Sequence, residues 1–331
     1  MKDKINYGII GFGRYAEKRL LPAFSKTRFS VLRAFTKRDI GKARNLAQKY
    51  HIEYYFDDIH KMLELPELDA VIVTSPPGLH KEHTFKAATF RKHVMVEKPF
   101  AVSNLEAEQM VEVCREQKVK CMAAFVMRFI DALEVTRSWI QAGKLGVIDY
   151  AGGYFGLDIS LSSREWLNDP VLSGGGVIAD LGSHFLDLFQ FILNRKVTFS
   201  QALLKPPFSR QGVENKAIIQ LEFEEQIIGS LYLSFNVIRE SGLTFHGSKG
   251  KLSLKNFNQP EKTVQLHYSD SSGETVRDIQ NGNYYAKMID HFSESIIYDK
   301  PVITPGEVGC DNQKLIDGLY KRASKTIAER T

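Results

Sequence analysis

The sequence predicts an α/β chain of two domains: a doubly wound parallel sheet over residues 1–125, then an α+β domain over 126–331 on a largely antiparallel sheet. Three observations carry this. Short apolar runs alternate with helical stretches across the first 125 residues, the rhythm of a parallel sheet. The first such run, 7–10, is followed by Gly11 and Gly13, as at the opening turn of a dinucleotide fold. After residue 126 the strand-like runs follow one another without long helices between them.

Each element has its own signal. Residues 7–10 are apolar and end at glycines, so they predict a buried strand. Leu20, Leu21 and Phe24 then recur at helical spacing. SVLRAF (30–35) is a second strand, and IGKARNLAQKY (40–50) a helix on the spacing of Ala43, Leu46 and Ala47. A short strand at 54–56 precedes the apolar LDAVIVT (68–74), which ends at the breaker Ser75-Pro76-Pro77-Gly78. A helix over 79–89, a strand at 93–97, a helix over 104–117 and a strand at 121–125 complete this half. In the second half, strands are predicted at 154–155, 217–223, 227–235, 243–246 and 251–254, with Glu224-Glu225-Gln226 as a hairpin loop. Helices are predicted at 181–193 and 313–328, the latter a closing helix able to pack back on the first domain. There is no internal repeat and no low-complexity segment.

Composition bounds the function classes. With 331 residues, 43% hydrophobic and 25% charged, the chain is ordinary globular protein, long enough for two cores. The net charge of +5 is spread along the chain with no basic block interleaved with aromatics, so no nucleic-acid partner is expected. Cys114, Cys121 and Cys310 form no C-x-x-C pair and no metal spacing, and no metal is expected. They suit a reducing compartment. No secretory segment fits the N-terminus, and no apolar run is expected to reach the length of a membrane span, so a cytoplasmic chain with no membrane partner is expected.

In parallel sheets of this kind ligands bind at the carboxyl ends of the strands. The candidates there are Gly11, Phe12, Gly13, Arg14 and Tyr15 after the first strand, and Thr36, Lys37 and Arg38 after the second. Ser75, Pro76 and Pro77 with His80 follow the fourth strand, and Glu97 and Lys98 the fifth. Glycines at 11 and 13 let the backbone approach a pyrophosphate, which the following helix N-terminus attracts. An acid at the end of the second strand would hold a ribose 2′-hydroxyl. This chain has Thr36-Lys37-Arg38 instead, and an arginine fork suits a phosphate. The expected cofactor is therefore NADP, with NAD the alternative. The plainer reading is that Lys37 and Arg38 are solvated and Asp39 caps a helix.

The stretches GFGRYA (11–16), HVMVEKPFA (93–101) and SGGGVIADLGSHFLDL (173–188), in this order and spacing, carry a resemblance that covers nearly the whole chain. The chain resembles the Gfo/Idh/MocA family, named for glucose–fructose oxidoreductase and inositol dehydrogenase. The resemblance implies a dinucleotide domain and a second domain with a large open-faced sheet used for self-association, hence a homodimer or homotetramer. It implies hydride transfer between a nicotinamide and a hydroxyl-bearing carbon of a sugar, polyol or cyclitol. The family's catalytic lysine in Glu-Lys-Pro matches Lys98, and its aspartate and histidine match Asp180 and His184. In one departure, many relatives carry arginine where this chain has Leu167; Arg164 is near enough in sequence to substitute.

The chemistry suits these residue types. Moving a hydride from an alcohol carbon requires the hydroxyl proton to leave, a task for an imidazole, here His184. Lys98 would hydrogen-bond the same oxygen as alkoxide character develops. Asp180 stands four residues before His184, one helical turn away, to orient it or hold a substrate hydroxyl; Asp187 is a supporting candidate. Arg128, Tyr154 and Trp166 are the further substrate candidates, the aromatics as faces for sugar carbons. Each has a plainer role: Asp180 as a helix cap, His184 as a core histidine, Lys98 as a loop lysine, and both aromatics as core. Two other functions fit the same fold, a nucleotide-binding sugar sensor without turnover and an NAD-dependent glycosidase.

Overall fold

Six strands, β1 (Ile5–Ile10), β2 (Ser30–Thr36), β3 (Tyr54–Phe56), β4 (Ala70–Val73), β5 (His93–Val96) and β6 (Cys121–Ala123), form one sheet in the order β3-β2-β1-β4-β5-β6. Every pairing in it is parallel. The order reverses between β1 and β4, which makes the carboxyl ends of these two strands the place where ligands enter such sheets. Central strands of a parallel sheet are covered on both faces, and β4 accordingly has four buried residues in a row, Ala70–Val73. The computed structural model describes residues 3–160, 164–209 and 211–328.

Eight further strands make a second sheet: β7 (Ile148–Gly156), β8 (Val197–Lys205), β9 (Lys216–Phe223), β10 (Ile228–Ser234), β11 (Glu240–Gly247), β12 (Gly250–Lys255), β13 (Thr263–Asp270) and β14 (Gly273–Gln280). Their order is β14-β13-β12-β11-β7-β10-β9-β8, antiparallel throughout except where β10 runs parallel to β7. Strict alternation along β9, with Ala217, Ile219, Leu221 and Phe223 buried and Lys216, Ile218, Gln220 and Glu222 exposed, shows a sheet with one covered face. The helix Ser183–Leu193 supplies that cover. Its Phe185 and Phe189 pack on Phe155, Phe223, Phe245 and Phe257 at ring-centroid distances of 5.8–6.4 Å. Gly153 makes room for them, since a Cβ there would lie 2.7 Å from the Phe185 ring.

Three expectations need correction. The division between the two compact units falls at Phe125/Val126, but residues 285–313 return to the first unit. The helix Tyr284–Ile297 is tied there by Ser293, whose hydroxyl lies 2.8 Å from both Tyr7 Oη and Ser30 Oγ. Asp290 adds hydrogen bonds from the Arg28 and Phe29 amides. No helix was expected at 284–297, so nothing in the sequence reading signalled the return. Second, the helical stretch Pro170–Leu193 does reach the length and hydropathy of a membrane span; 83% of its apolar window is buried inside the protein, so its hydropathy is that of a core helix. Third, β8, β13, β14 and the helices Asp131–Gln141 and Tyr284–Ile297 lay outside the sequence expectations.

Candidate functional site

The glycine turn of the first unit is built by sterics. Gly11 has φ +83°, and a Cβ on it would lie 2.9 Å from the Ser75 amide nitrogen, so only glycine fits where the β1 and β4 loops touch. Gly13 would meet nothing closer than 3.8 Å, leaving its outer side open. Thr36 accepts the Gly11 N–H at 3.1 Å through Oγ1 and the Phe12 N–H at 2.8 Å through its carbonyl. Thr74 Oγ1 donates to the Gly11 carbonyl at 2.9 Å. The helix that follows begins at Arg14, with the Glu17 N–H donating to the Gly13 carbonyl at 3.0 Å, and Gly13 has no side chain to cap it. Its first N–H groups are the donors an anion would use. A close-packed glycine and an uncapped helix start fit the pyrophosphate of a dinucleotide.

The other candidates at this edge divide into those that offer a group to a ligand and those that hold the turn. Phe12 is buried against the Phe35 ring, so only its backbone faces the turn. Thr36 is buried and spends its hydroxyl on Gly11. Lys37 Nζ donates to the Phe12 carbonyl at 3.1 Å, while Arg38 and Arg14 are exposed. Arg38 also lines a cavity of about 560 Å³ with Asp57, Asp58, Ile59, Lys61 and Lys86. Asp39 caps the helix Ile40–Tyr50 by accepting the Lys42 N–H.

His80, a cofactor candidate, has its side chain held by protein carbonyls. It is buried, with Nδ1 3.1 and 3.2 Å from the Pro99 and Phe100 carbonyls and Nε2 2.8 Å from the Ser75 carbonyl. Burial pushes its pKa down to about 4, with the carbonyls on both ring nitrogens opposing. It thereby joins the Ser75-Pro76-Pro77 turn to the Lys98-Pro99-Phe100 segment. Ser75 Oγ lies 2.9 Å from His83 Nδ1, so this hydroxyl too is held by protein.

Sequence reasoning missed how Tyr15 and Glu97 work together. Tyr15 donates to Glu97 Oε1 at 2.5 Å, and the Lys98 amide donates to Oε2 at 3.3 Å. Burial pushes the Glu97 carboxyl up to about 7, with Tyr15 and Lys98 opposing it. This bond fastens the glycine turn to the Glu-Lys-Pro segment, so Lys98 follows directly on a residue held by the turn. The spacing of tyrosine and glutamate, 82 residues, carries no local signal.

In the second unit the helix Ser183–Leu193 is preceded by a π-turn, Ile178–Gly182, that contains Asp180. Asp180 is therefore inside the helical run and does not cap it. Turns of this kind recur at functional sites. Arg164 grips Asp180 with two nitrogens, Nη2 3.2 Å from Oδ2 and Nη1 3.4 Å from Oδ1, and its guanidinium lies 5.9 Å from the Trp166 ring centre. His184 is buried one turn on. Leu167 is buried as well, so it offers nothing to a ligand.

Two substrate candidates have protein partners of their own. Arg128 is committed to Asp187: Nε lies 3.1 and 2.9 Å from the two carboxylate oxygens and Nη2 2.6 Å from Oδ1, with the guanidinium 4.7 Å from the Phe191 ring centre. Burial pushes the Asp187 carboxyl up while Arg128 pulls it down. The pair braces the His184 helix. Tyr154 neighbours Phe155 on β7, and since strand side chains alternate, Phe155 against Phe185 puts Tyr154 on the opposite face. There it covers Gly242, where a Cβ would run into its ring. It shares no face with His184. Among the described residues no group of three or more His, Cys, Asp or Glu could hold a metal.

Residues 5–125 match the oxidoreductase family with the NAD-binding Rossmann fold, and residues 134–253 match the GFO/IDH/MocA C-terminal domain. The chain belongs to the GFO/IDH/MocA oxidoreductase family. It is similar to the scyllo-inositol 2-dehydrogenase (NAD(+)) of Bacillus subtilis (strain 168), 26% identical over 92% of this chain and 90% of the relative. It is also similar to the D-xylose 1-dehydrogenase [NADP(+)] of Haloarcula marismortui, 24% identical over 98% of this chain and 92% of that one. Among solved structures, the aldose-aldose oxidoreductase of Caulobacter crescentus complexed with glycerol has the same fold, with a TM-score of 0.90 at 23% identity over 98% of both chains. Family membership makes this chain an NAD(P)-dependent dehydrogenase or reductase.

Proposed function

We propose that this oxidoreductase prefers NADP and transfers hydride to or from a sugar, polyol, cyclitol or related keto compound, with Lys98 and His184 acting at the reacting oxygen. The observation that carries the reading is the Tyr15–Glu97 bond of 2.5 Å, which couples the dinucleotide turn to the segment bearing Lys98. The residues that would hold the cofactor are Gly11, Gly13, Arg14 and Tyr15 at the pyrophosphate turn, with Lys37 and Arg38 toward a 2′-phosphate. When bound, the nicotinamide supplies or accepts the hydride.

The chain's own groups manage the proton and the charge. His184 takes the hydroxyl proton in oxidation and returns it to the carbonyl oxygen in reduction. Lys98 donates a hydrogen bond to that oxygen as negative charge grows on it. Asp180, fixed by Arg164, meets a substrate hydroxyl or steadies the imidazole. Two relatives named for inositol and xylose support a polyhydroxylated substrate, one using NAD and the other NADP. The preference for NADP rests on this chain's cations. Replacing Lys37 and Arg38 together by Ala should weaken NADP at least about tenfold more than NAD, the loss of a charge-assisted phosphate contact; equal losses in a binding titration would refute it.

The same reading includes self-association through the uncovered face of the second sheet. Leu203, Ile218, Ile228 and Tyr232 stand exposed there on three adjacent strands, β8, β9 and β10. Apolar side chains grouped in this way favour a partner surface.

A further inference from the structure

Glu214 lies outside every role described so far, although it is completely buried (0% exposed) and is paired with no Lys or Arg among the described residues. Its carboxylate and its main-chain carbonyl hold one feature. Oε2 accepts the Gly176 N–H at 3.1 Å, Oε1 accepts the Ile178 N–H at 2.9 Å, and its main-chain carbonyl accepts the Val177 N–H at 3.0 Å. Tyr320 of the last helix donates its hydroxyl to Oε1 at 2.8 Å. The first residues of a helical run have N–H groups without partners inside the helix. Here three consecutive ones are met by a single residue 36 to 38 positions away in sequence.

The backbone is shaped to admit it. A Cβ on Gly176 would run into the Glu214 carbonyl, and one on Gly175, at φ +151°, into the Tyr320 hydroxyl. The glycines of the SGGG run (173–176) thus allow a close approach to this carboxylate and to Tyr320. A buried carboxylate without a cation is costly. Burial does push the Glu214 carboxyl up, with the hydrogen bonds opposing. A charge at the positive end of a helix also fixes where that helix begins.

We infer that Glu214, with Tyr320 behind it, is a positioning residue that sets the axial placement of the helical run carrying Asp180 and His184. The inference rests on the functional reading above for its effect on turnover, and on the hydrogen bonds alone for its effect on the helix. A displacement of the order of 1 Å at an acid/base group costs as much as about a hundredfold in rate.

The test uses the full chain with Glu214→Gln, which keeps the volume and sets an NH2 against the Gly176 N–H, and Tyr320→Phe, which removes the hydroxyl that donates to Glu214. Amide hydrogen exchange over 176–184 should quicken in both, more in Glu214→Gln, while the first unit's exchange and NADP affinity stay as in the parent. With a substrate in hand, kcat should fall roughly tenfold to a hundredfold with little change in KM. Unchanged exchange over 176–184, exchange quickened evenly through the protein, or unchanged kcat would each overturn the inference. Should Glu214→Gln not fold, Tyr320→Phe alone decides it by the same readings. If the parent turns over no sugar or polyol, the functional reading fails, and selective exchange over 176–184 still upholds the positioning of the helix.

Discussion

Glu97 is a carboxyl that burial has moved to the edge of neutrality, and its pKa of about 7 has a sign that can be worked out. The folded chain holds this proton more tightly than the unfolded chain, where the ordinary value is 4.5. Below pH 4.5 the group is neutral in both states and costs nothing. As pH rises from there to about 7, the unfolded state ionises first and stability falls, by about 3 kcal/mol in all, then levels off. Unfolding in urea should therefore show Glu97→Gln gaining on the parent between pH 5 and pH 7.5. Tyr15 stabilises the ionised form, so Tyr15→Phe should move the midpoint of that gain upward. A difference between parent and Glu97→Gln that does not vary with pH would show that Glu97 does not titrate there. Arg128 illustrates the limit of residue-level reading: its position after β6 was legible, its commitment to Asp187 was not.

At the scale of elements, the β1 turn is fixed by one glycine. Gly11→Ala meets both a left-handed φ and the Ser75 amide, so it should destabilise the chain by about 1–3 kcal/mol and reduce dinucleotide affinity. A variant with parent stability in urea would mean the turn has another shape. Apart from the short helix Ile59–Leu63, the strands and helices of the first half were legible because a parallel sheet buries continuous apolar runs such as Ala70–Val73, bounded by glycine and proline. The second half was less so. β14 has seven exposed residues of eight, Ile279 being the buried one, and so carries no alternation to read. β13 does alternate, with Val264, Leu266 and Tyr268 buried, but its polar positions hide a signal that is only three residues strong. The motif residues Lys98, Asp180 and His184 were named from the sequence. The groups that brace them, Tyr15 on Glu97, Arg164 on Asp180 and Glu214 on the helix start, join positions far apart in the chain and have no sequence period.

For the whole molecule, two sheets of different construction divide the work. The parallel sheet gathers Gly11, Lys37, Ser75 and Glu97 at the carboxyl ends of its strands, and the mixed sheet supports the helix with Asp180 and His184 on one face. Its other face, with Ile218 and Ile228 exposed, carries a prediction of its own. Sedimentation should give a mass of two or four chains, and Ile218→Lys with Ile228→Lys should lower it; a monomeric parent would remove the self-association proposal. The central claim is hydride transfer, with His184 handling the proton. The direct measurement is to incubate the protein with NADPH carrying deuterium at both positions of the hydride-bearing ring carbon and a panel of keto-sugars and keto-cyclitols, and to weigh the products. One deuterium on the reduced carbon is predicted, formed at least about a hundredfold more slowly by His184→Ala. Products without deuterium, or equal rates from parent and variant, would contradict the account.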